Sequence, residues 1–275
     1  MDFVKQFESL IHPIASALSI HVLRPLTEDR VYTIRSGIAK GLKTRGGLDF
    51  IPRPMKKEDR FIRSLNLSSK VVYDVGGFEG QFAAAFARLA GPTGTVIVFE
   101  PNAVNRTYID RIVSLNGFQN VRVLPIALGA VHSSATMVVP QHERSMGTLD
   151  TTIAAQIAES GDAETFSVDI QPLDALIADE KLPPPDFIKI DVEGFEVEVL
   201  NGMAETLRRG HPAVFVELHG VTPEQQLEIA QQVIEFLTSL GYQLTHVESN
   251  TSIDDHRADC TLGGHLYAIA DTGGN

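Results

Sequence analysis

The run Val71-Val72-Tyr73-Asp74-Val75-Gly76-Gly77-Phe78-Glu79-Gly80 constrains this chain more than any other. Residues suited to a buried strand end beside an acid and pass straight into glycines, and Gln81 to Ala90 follows with helical spacing. Twenty residues after Gly80, a second strand-like stretch, Thr95-Val96-Ile97-Val98-Phe99, ends in Glu100. Such an order makes a βαβ unit whose glycine turn lets the backbone approach a ligand at a helix N-terminus. Glu100 then stands where an acid accepts hydrogen bonds from ribose hydroxyls, so the expectation is a nucleoside site.

Charge decides which nucleoside. A dinucleotide site of the G-x-G-x-x-G type holds a pyrophosphate dianion at the helix N-terminus, whereas the spacing here is G-G-x-x-G with Asp74 expected on the lip of the turn. A carboxylate there repels a dianion. S-adenosylmethionine brings an ammonium and a sulfonium, both cationic, and suits one acid at the turn and another at the ribose. An α/β turn with no ligand is the remaining reading.

Composition sets limits. At 275 residues the chain can bury roughly three quarters of its unfolded surface, enough for one large domain or one domain with an appendage. Its 43% apolar content is that of a folded protein. A net charge of -12 disfavours nucleic acid and anionic membrane surfaces as partners and is compatible with a small molecule or sugar. The single Cys260 excludes an intramolecular disulfide framework and fits a reducing, cytoplasmic setting. No run is apolar for the roughly 18 residues that a spanning helix needs. The first residues carry acids where a signal peptide carries bases, so export by that route is not expected.

The first seventy residues differ from the rest. Phe3, Phe7, Leu10, Ile11, Ile14 and Leu18 recur at helical spacing, and this apolar face suits the chain's own core or a second subunit, as in a homodimer. Arg30 to Ile34 and Ser36 to Gly47 read as short strands around a basic, glycine-punctuated loop, either an ordinary hairpin or a lid. From Val71 onward strands and helices alternate, which predicts an α/β fold with a mostly parallel sheet covered on both faces. Helices are expected at Gln81 to Ala90, Ala103 to Asn116, Phe195 to Arg209 and Pro223 to Leu240, with Gly91, Gly117, Gly210 and Gly241 as left-handed caps. Strands are expected at 71 to 75, 95 to 99, 121 to 124, 186 to 190, 213 to 218, 242 to 248 and 265 to 270. An insertion near the mouth of the site adds strands Thr136 to Pro140 and Phe166 to Ile170 around the polar loop Gln141 to Thr148.

The fourth strand carries the next constellation, Asp186-Phe187-Ile188-Lys189-Ile190-Asp191-Val192-Glu193-Gly194-Phe195-Glu196. Ligands of open α/β sheets bind beyond the carboxyl ends of the strands, so Asp191 emerges beside the glycine turn. Glu193 is either a helix-capping acid or a substrate contact. Lys189, inside a central strand, needs an anionic partner and reads first as structural pairing, second as a base. The fifth strand ends Glu217-Leu218-His219, and His219 is either a proton acceptor for a substrate hydroxyl or a bystander. Asp191, Glu193, Glu217 and His219 offer a divalent metal site as the less favoured alternative.

Asp74-Val75-Gly76-Gly77-Phe78-Glu79-Gly80, Phe99-Glu100-Pro101-Asn102, Ala127-Leu128-Gly129, Leu173-Asp174 and the run Ile188 to Glu196 followed by Val199-Leu200-Asn201-Gly202 resemble the FkbM family of S-adenosylmethionine-dependent methyltransferases. The resemblance covers about residues 70 to 220. It implies a class I methyltransferase, Rossmann-like fold of seven strands, the last antiparallel, and O-methylation of a hydroxyl on a sugar, lipid or polyketide. It further implies that Asp74, Gly76, Gly77 and Gly80 hold the methionine end, that Glu100, Pro101, Asn102 and Ala127 hold the nucleoside, and that Asp191 lies near the transferring methyl. On this reading residues 70–275 are the methyltransferase domain, with an insertion at about 130–170, and residues 1–69 are a substrate cover or oligomer contact. Phe78 stands where the family turn usually has asparagine, and a phenyl ring cannot make an amide's hydrogen bonds.

The mechanism expected is in-line displacement, with Asp191 as base, His219 as second choice and Glu193 beside them. A nucleotide-dependent oxidoreductase and a catalytically silent cofactor-binding protein are the alternatives.

Overall fold

The computed structural model describes residues 29–140, 147–149, 163–179, 181–220, 222–253 and 263–270. The amphipathic segment from Phe3 to Leu18 and the loop 141–146 lie outside the described residues.

The main sheet has eight strands. Its parallel part is β3 (Val71–Val75), β4 (Thr95–Phe99), β5 (Val121–Leu124), β9 (Phe187–Ile190) and β10 (Ala213–Glu217). Antiparallel pairing joins β11 (Tyr242–His246), β12 (Thr251–Ile253) and β13 (His265–Ala270), and the order is β12-β11-β13-β10-β9-β3-β4-β5. The expected seven strands are all present and the last of them, β13, is antiparallel. The eighth, β12, is a three-residue edge strand that folds back on β11 and was not legible in a sequence with no apolar alternation there.

Two apolar layers explain why the central strands read as continuous hydrophobic runs. Tyr73, Val75, Ile97, Phe99, Ile188, Ile190, Val214 and Val216 pack on one face, against Leu173, Leu200, Leu207 and Ile234. Val72, Val96, Val98, Phe187 and Phe215 pack on the other, against Ala83 to Ala87 of α2 (Gln81–Ala90) and Ile109 and Ile112 of α3 (Ala103–Leu115). Burial on both faces removes the polar half of the alternation. Ile34, Ile38, Leu42, Ile62 and Leu67 belong to this second layer, so the segment from 29 to 69 shares the core of the sheet. It contributes the antiparallel hairpin β1 (Val31–Thr33) and β2 (Lys43–Arg45), and α1 (Lys57–Ser64), a helix missed in the sequence.

The insertion forms a separate three-stranded sheet, β6 (Ala127–Leu128), β8 (Ala163–Gln171) and β7 (Ser133–Pro140), in that order. A short α4 (Leu173–Ala178) follows. The helix expected from Phe195 to Arg209 is two helices, α5 (Glu196–Asn201) and α6 (Ala204–Gly210). The break falls at Gly202, where an added Cβ would lie 2.1 Å from the Gly129 carbonyl oxygen. The left-handed cap of α6 is His211, with φ +48°, and not Gly210, whereas Gly91, Gly117 and Gly241 do have positive φ. The last long helix, α7 (Pro223–Ser239), is capped by Thr222, whose side chain accepts from the Gln225 N–H. Among the described residues no helix is long and apolar enough to cross a membrane.

Candidate active site

A cavity opens beyond the carboxyl ends of β3, β4 and β9, where an open α/β sheet places its ligands. Its walls include Gly76, Phe78, Glu100, Pro101, Asn102, Asn105, Ala127, Leu128, Met137, Leu149, Asp191, Glu193 and Phe195. Since β3 lies between β4 and β9, Glu100 and Asp191 leave strands two spacings apart, about 10 Å.

Beside the cavity the glycine turn is packed against protein. A Cβ on Gly76, where φ is +85°, would come 1.8 Å from the Asp191 carbonyl oxygen. At Gly77 it would meet Val98 at 2.3 Å, and at Gly80 the Ile109 backbone at 2.8 Å. These glycines therefore let the turn close on β4, α3 and the turn that follows β9. Phe78 has φ +44°, a left-handed conformation that asparagine adopts more readily than an aromatic residue. Its backbone N–H donates to Glu100 Oε2 at 2.8 Å.

Asp74 does not stand on the lip. It is fully buried beneath the turn, because parallel register pairs it with Lys189 of β9 and turns both side chains to the same side of the sheet. Lys189 Nζ lies 3.6 Å from Asp74 Oδ1 and 2.9 Å from Asp191 Oδ2, with the Phe82 ring 4.6 Å away. Burial, opposed by Lys189, raises the Asp74 carboxyl to about 6. Burial also works against the Lys189 ammonium, yet the two acids hold its pKa above the ordinary value. The structural pairing expected of Lys189 is present.

Glu100 is almost fully buried at the β4 end of the cavity. Besides the Phe78 bond, its Oε1 accepts from the Asn102 N–H at 2.8 Å. Burial lifts its pKa to about 7 against the pull of those two N–H groups. A carboxylate has about four acceptor positions, so each oxygen retains capacity for a hydroxyl donor. Asn102 caps α3 by accepting from the Val104 N–H.

The opposite end is a rim of charge. Glu193 sits in a strained turn, with φ +50° followed by Gly194 at +96°, and its carbonyl accepts from Thr148 Oγ1 of the insertion. It does not cap a helix: α5 begins three residues later, and Glu196 is the acid in its first turn. Glu196 is completely buried and its Oε1 accepts from the Gly194 N–H and faces His219 Nδ1 at 2.7 Å. His219 Nε2 then faces Asp191, Glu193 and Glu217 at 3.6, 3.7 and 3.8 Å. Burial pulls the imidazole pKa down, but Glu196, Asp191 and Glu193 outweigh it and push it up to about 9. Burial together with Asp191, Glu217 and Glu196 raises Glu193 to about 7, despite His219. Glu217 is drawn down to about 2, against its burial, by His265 and His219. Behind it, His265 is held between Glu217, Glu58 and Glu248 at 3.3, 3.5 and 2.7 Å.

The structure thus gathers Gly76, Glu100, Pro101, Asn102, Ala127, Asp191 and Glu193 on one cavity, with His219 and Glu217 behind its rim and Asp74, Gly77 and Gly80 beneath its floor. Asp191, Glu217 and His219 have the spacing of metal ligands, as do Glu58, Glu248 and His265, each within 4.8 Å. Sequence reasoning missed Glu196, Asn105, Met137 and Leu149. Glu196 carries a signal in its place two residues after Gly194, while the apolar wall from the insertion carries none.

Residues 71–244 match the methyltransferase FkbM domain family, and the chain belongs to it. It is accordingly an S-adenosylmethionine-dependent methyltransferase. The hexuronic acid methyltransferase AglP of Haloferax volcanii is 28% identical over 184 residues, covering 66% of this chain and 70% of that protein. Among solved structures, the methyltransferase FkbM of Methylobacillus flagellatus aligns with TM-score 0.46 and 18% identity over 75% of this chain, which spans 45% of that one. An S-adenosylmethionine-dependent O-methyltransferase of Thermotoga maritima aligns with TM-score 0.45 and 15% identity, over 80% and 66% of the two chains.

The residues present fit this cofactor. Among the described residues no lysine or arginine lines the cavity, so a pyrophosphate would find no countercharge, whereas a sulfonium and an ammonium meet carboxylates.

Proposed function

We propose that the chain methylates a hydroxyl of a sugar, glycolipid or similar small natural product. The observation that carries this reading is the pairing of Asp191 and Glu193 on the turn after β9, about two strand spacings from Glu100. Bound S-adenosylmethionine supplies a methyl group already activated on sulfur. Glu100 binds the ribose hydroxyls, flanked by Pro101, Asn102 and Ala127. Gly76, Gly77 and Gly80 shape the methionine end, and Asp74 acts there from below, through Lys189.

The sequence placed the base at Asp191, with His219 second. A cationic His219 at neutral pH has no lone pair to offer, and Asp191 Oδ2 already accepts from Lys189. The Glu193 carboxylate accepts no hydrogen bond within 3.5 Å among the described residues, and a pKa of about 7 suits a general base. We assign the hydroxyl proton to Glu193 and the orientation of the hydroxyl to Asp191. Similarity to a hexuronic acid methyltransferase supports a sugar acceptor. The segment from 29 to 69, which brings Asp49 to Gln81 and Glu58 to the His265 cluster, lies outside the cavity lining, and its role here is that of a cover or oligomer contact.

Calorimetry tests the reading: S-adenosylmethionine and S-adenosylhomocysteine should bind and NAD should not. Tight NAD binding with no response to either adenosyl ligand would sink it.

A further inference from the structure

The sheet fixes the chain as far as Asp191, whose N–H donates to the Val75 carbonyl at 3.0 Å, and α5 fixes it again from Phe195, the residue before its first turn. Glu193 and Gly194 fall between, in a turn that belongs to neither. Both are left-handed, with φ +50° and +96°. The second value costs a glycine little, but the first is disfavoured for a residue with a Cβ and lasts only where the surroundings impose it. Gly194 sharpens that requirement. A glycine accepts either sign of φ, so the peptide joining it to Glu193 can turn over without a clash.

Two side chains decide which way that peptide faces. On one edge the Glu193 carbonyl accepts from Thr148 Oγ1 at 2.7 Å, and on the other the Gly194 N–H donates to Glu196 Oε1 at 3.1 Å. Turned over, the peptide would set its carbonyl oxygen against the Glu196 carboxylate. Thr148 and Glu196 are both fully buried. Thr148 comes from the insertion, 45 residues away in the chain. Its backbone is fixed by two hydrogen bonds with Val138, at 3.0 and 3.1 Å, and its neighbours Gly147 and Leu149 line the cavity together with Met137. Phe195, next after the turn, packs with Met137 and Leu149 on the insertion's own small core. The strand that walls the cavity therefore also holds the turn that carries Glu193.

We propose that Thr148 is a positioning residue for methyl transfer: its hydroxyl locks the peptide between Glu193 and Gly194, and the lock aims the Glu193 side chain at the acceptor hydroxyl. The inference rests on the assignment of the proton to Glu193 and adds how that acid is held. Such a lock acts on rate more than on cofactor affinity, since misplacing a reacting group by about 1 Å can cost about 10² in rate.

The test compares the full chain with Thr148→Val, which removes the hydroxyl and keeps the β-branched shape, and with Thr148→Ser, which keeps the hydroxyl. Hydrogen exchange across residues 191–196 is read by mass spectrometry. Methyl transfer from S-adenosylmethionine to the methyl glycosides of glucose and glucuronic acid is read as S-adenosylhomocysteine formed. Thr148→Val should lower kcat at least about tenfold while KM for S-adenosylmethionine and calorimetric affinity for S-adenosylhomocysteine stay within about twofold. The Gly194 amide should exchange faster, and Thr148→Ser should restore both exchange and kcat. The proposal is overturned if Thr148→Val keeps wild-type kcat and exchange, or if Thr148→Ser fails as Thr148→Val does, since packing and not the donor would then matter. Cofactor affinity that falls in step with turnover overturns it too. Should Thr148→Val not fold, Thr148→Ala replaces it, and unfolding of both makes Thr148 a structural residue, against the proposal. If the wild type methylates neither glycoside while S-adenosylhomocysteine binds, the sugar reading of the acceptor falls and the exchange comparison alone decides the lock. Full turnover in Glu193→Gln is a different result and removes the base assignment itself.

Discussion

The two ends of the cavity are built on different physics. At the glycine turn, position is set by steric contact: Gly76, Gly77 and Gly80 admit no Cβ, and backbone N–H groups of Phe78 and Asn102 fix Glu100 at 2.8 Å. At the acceptor rim the acids lie 3.6 to 3.8 Å from a shared imidazole. One end is rigid and specified atom by atom, as recognition of an invariant cofactor requires. The other is held by charges at distances that can adjust, as an acceptor that enters and leaves requires.

Substitutions should break the two ends in different ways, and the largest effect is expected at the turn. Gly76→Ala places a Cβ inside the Asp191 carbonyl and demands φ +85° of a residue with a side chain. Thermal melting should show a loss of more than about 3 kcal/mol, or no folded protein, since strained backbone and backbone overlap act together. A variant that melts like the wild type would show that the turn is as adaptable as the rim.

Next come the two carboxylates. Glu193→Gln should keep the fold and lower methyl transfer by roughly 10² or more, the usual contribution of a general base. Removing a charge whose pKa is raised by burial should also raise the melting temperature at pH 8 relative to pH 5. The sign follows from linkage: a carboxyl raised from 4.5 to about 7 contributes stability that is full below 4.5 and is lost as pH climbs through about 7. The wild-type kcat/KM should rise through about pH 7 if Glu193 takes the proton, and through about pH 9 if His219 does. A rising limb at neither value would remove both assignments.

A smaller effect is expected for the ribose contact. Glu100→Ala should weaken S-adenosylhomocysteine about tenfold by calorimetry, as charge-assisted hydrogen bonds are worth ~1.5 to 3 kcal/mol. Unchanged affinity would move the ribose elsewhere. The smallest effect is expected at Phe78. Its bond to Glu100 comes from the backbone, so Phe78→Asn should change affinity by less than about tenfold while suiting the left-handed φ. A larger gain would show that the asparagine side chain usual in the family makes a contact that this chain lacks.

Most of the architecture was legible in the residues themselves. Buried parallel strands must be apolar on both faces, so Val71 to Val75, Thr95 to Phe99 and Phe187 to Ile190 announced themselves, and glycine marked the turns that no other residue can make. The acids at Asp74, Glu100, Asp191 and Glu193 were visible for the same reason: polar residues at the ends of such strands have little structural excuse. Period-two alternation and strand pairing decided the rest. Asp74 and Lys189 could be placed face to face only once β3 and β9 were in register, which buried an acid expected on the lip. His219 became a cation only when chain folding set four carboxylates around it from a turn, a helix and a strand. A sequence records which groups ionise; the protonation they adopt depends on distances between segments far apart in the chain, and those distances exist only in the folded molecule.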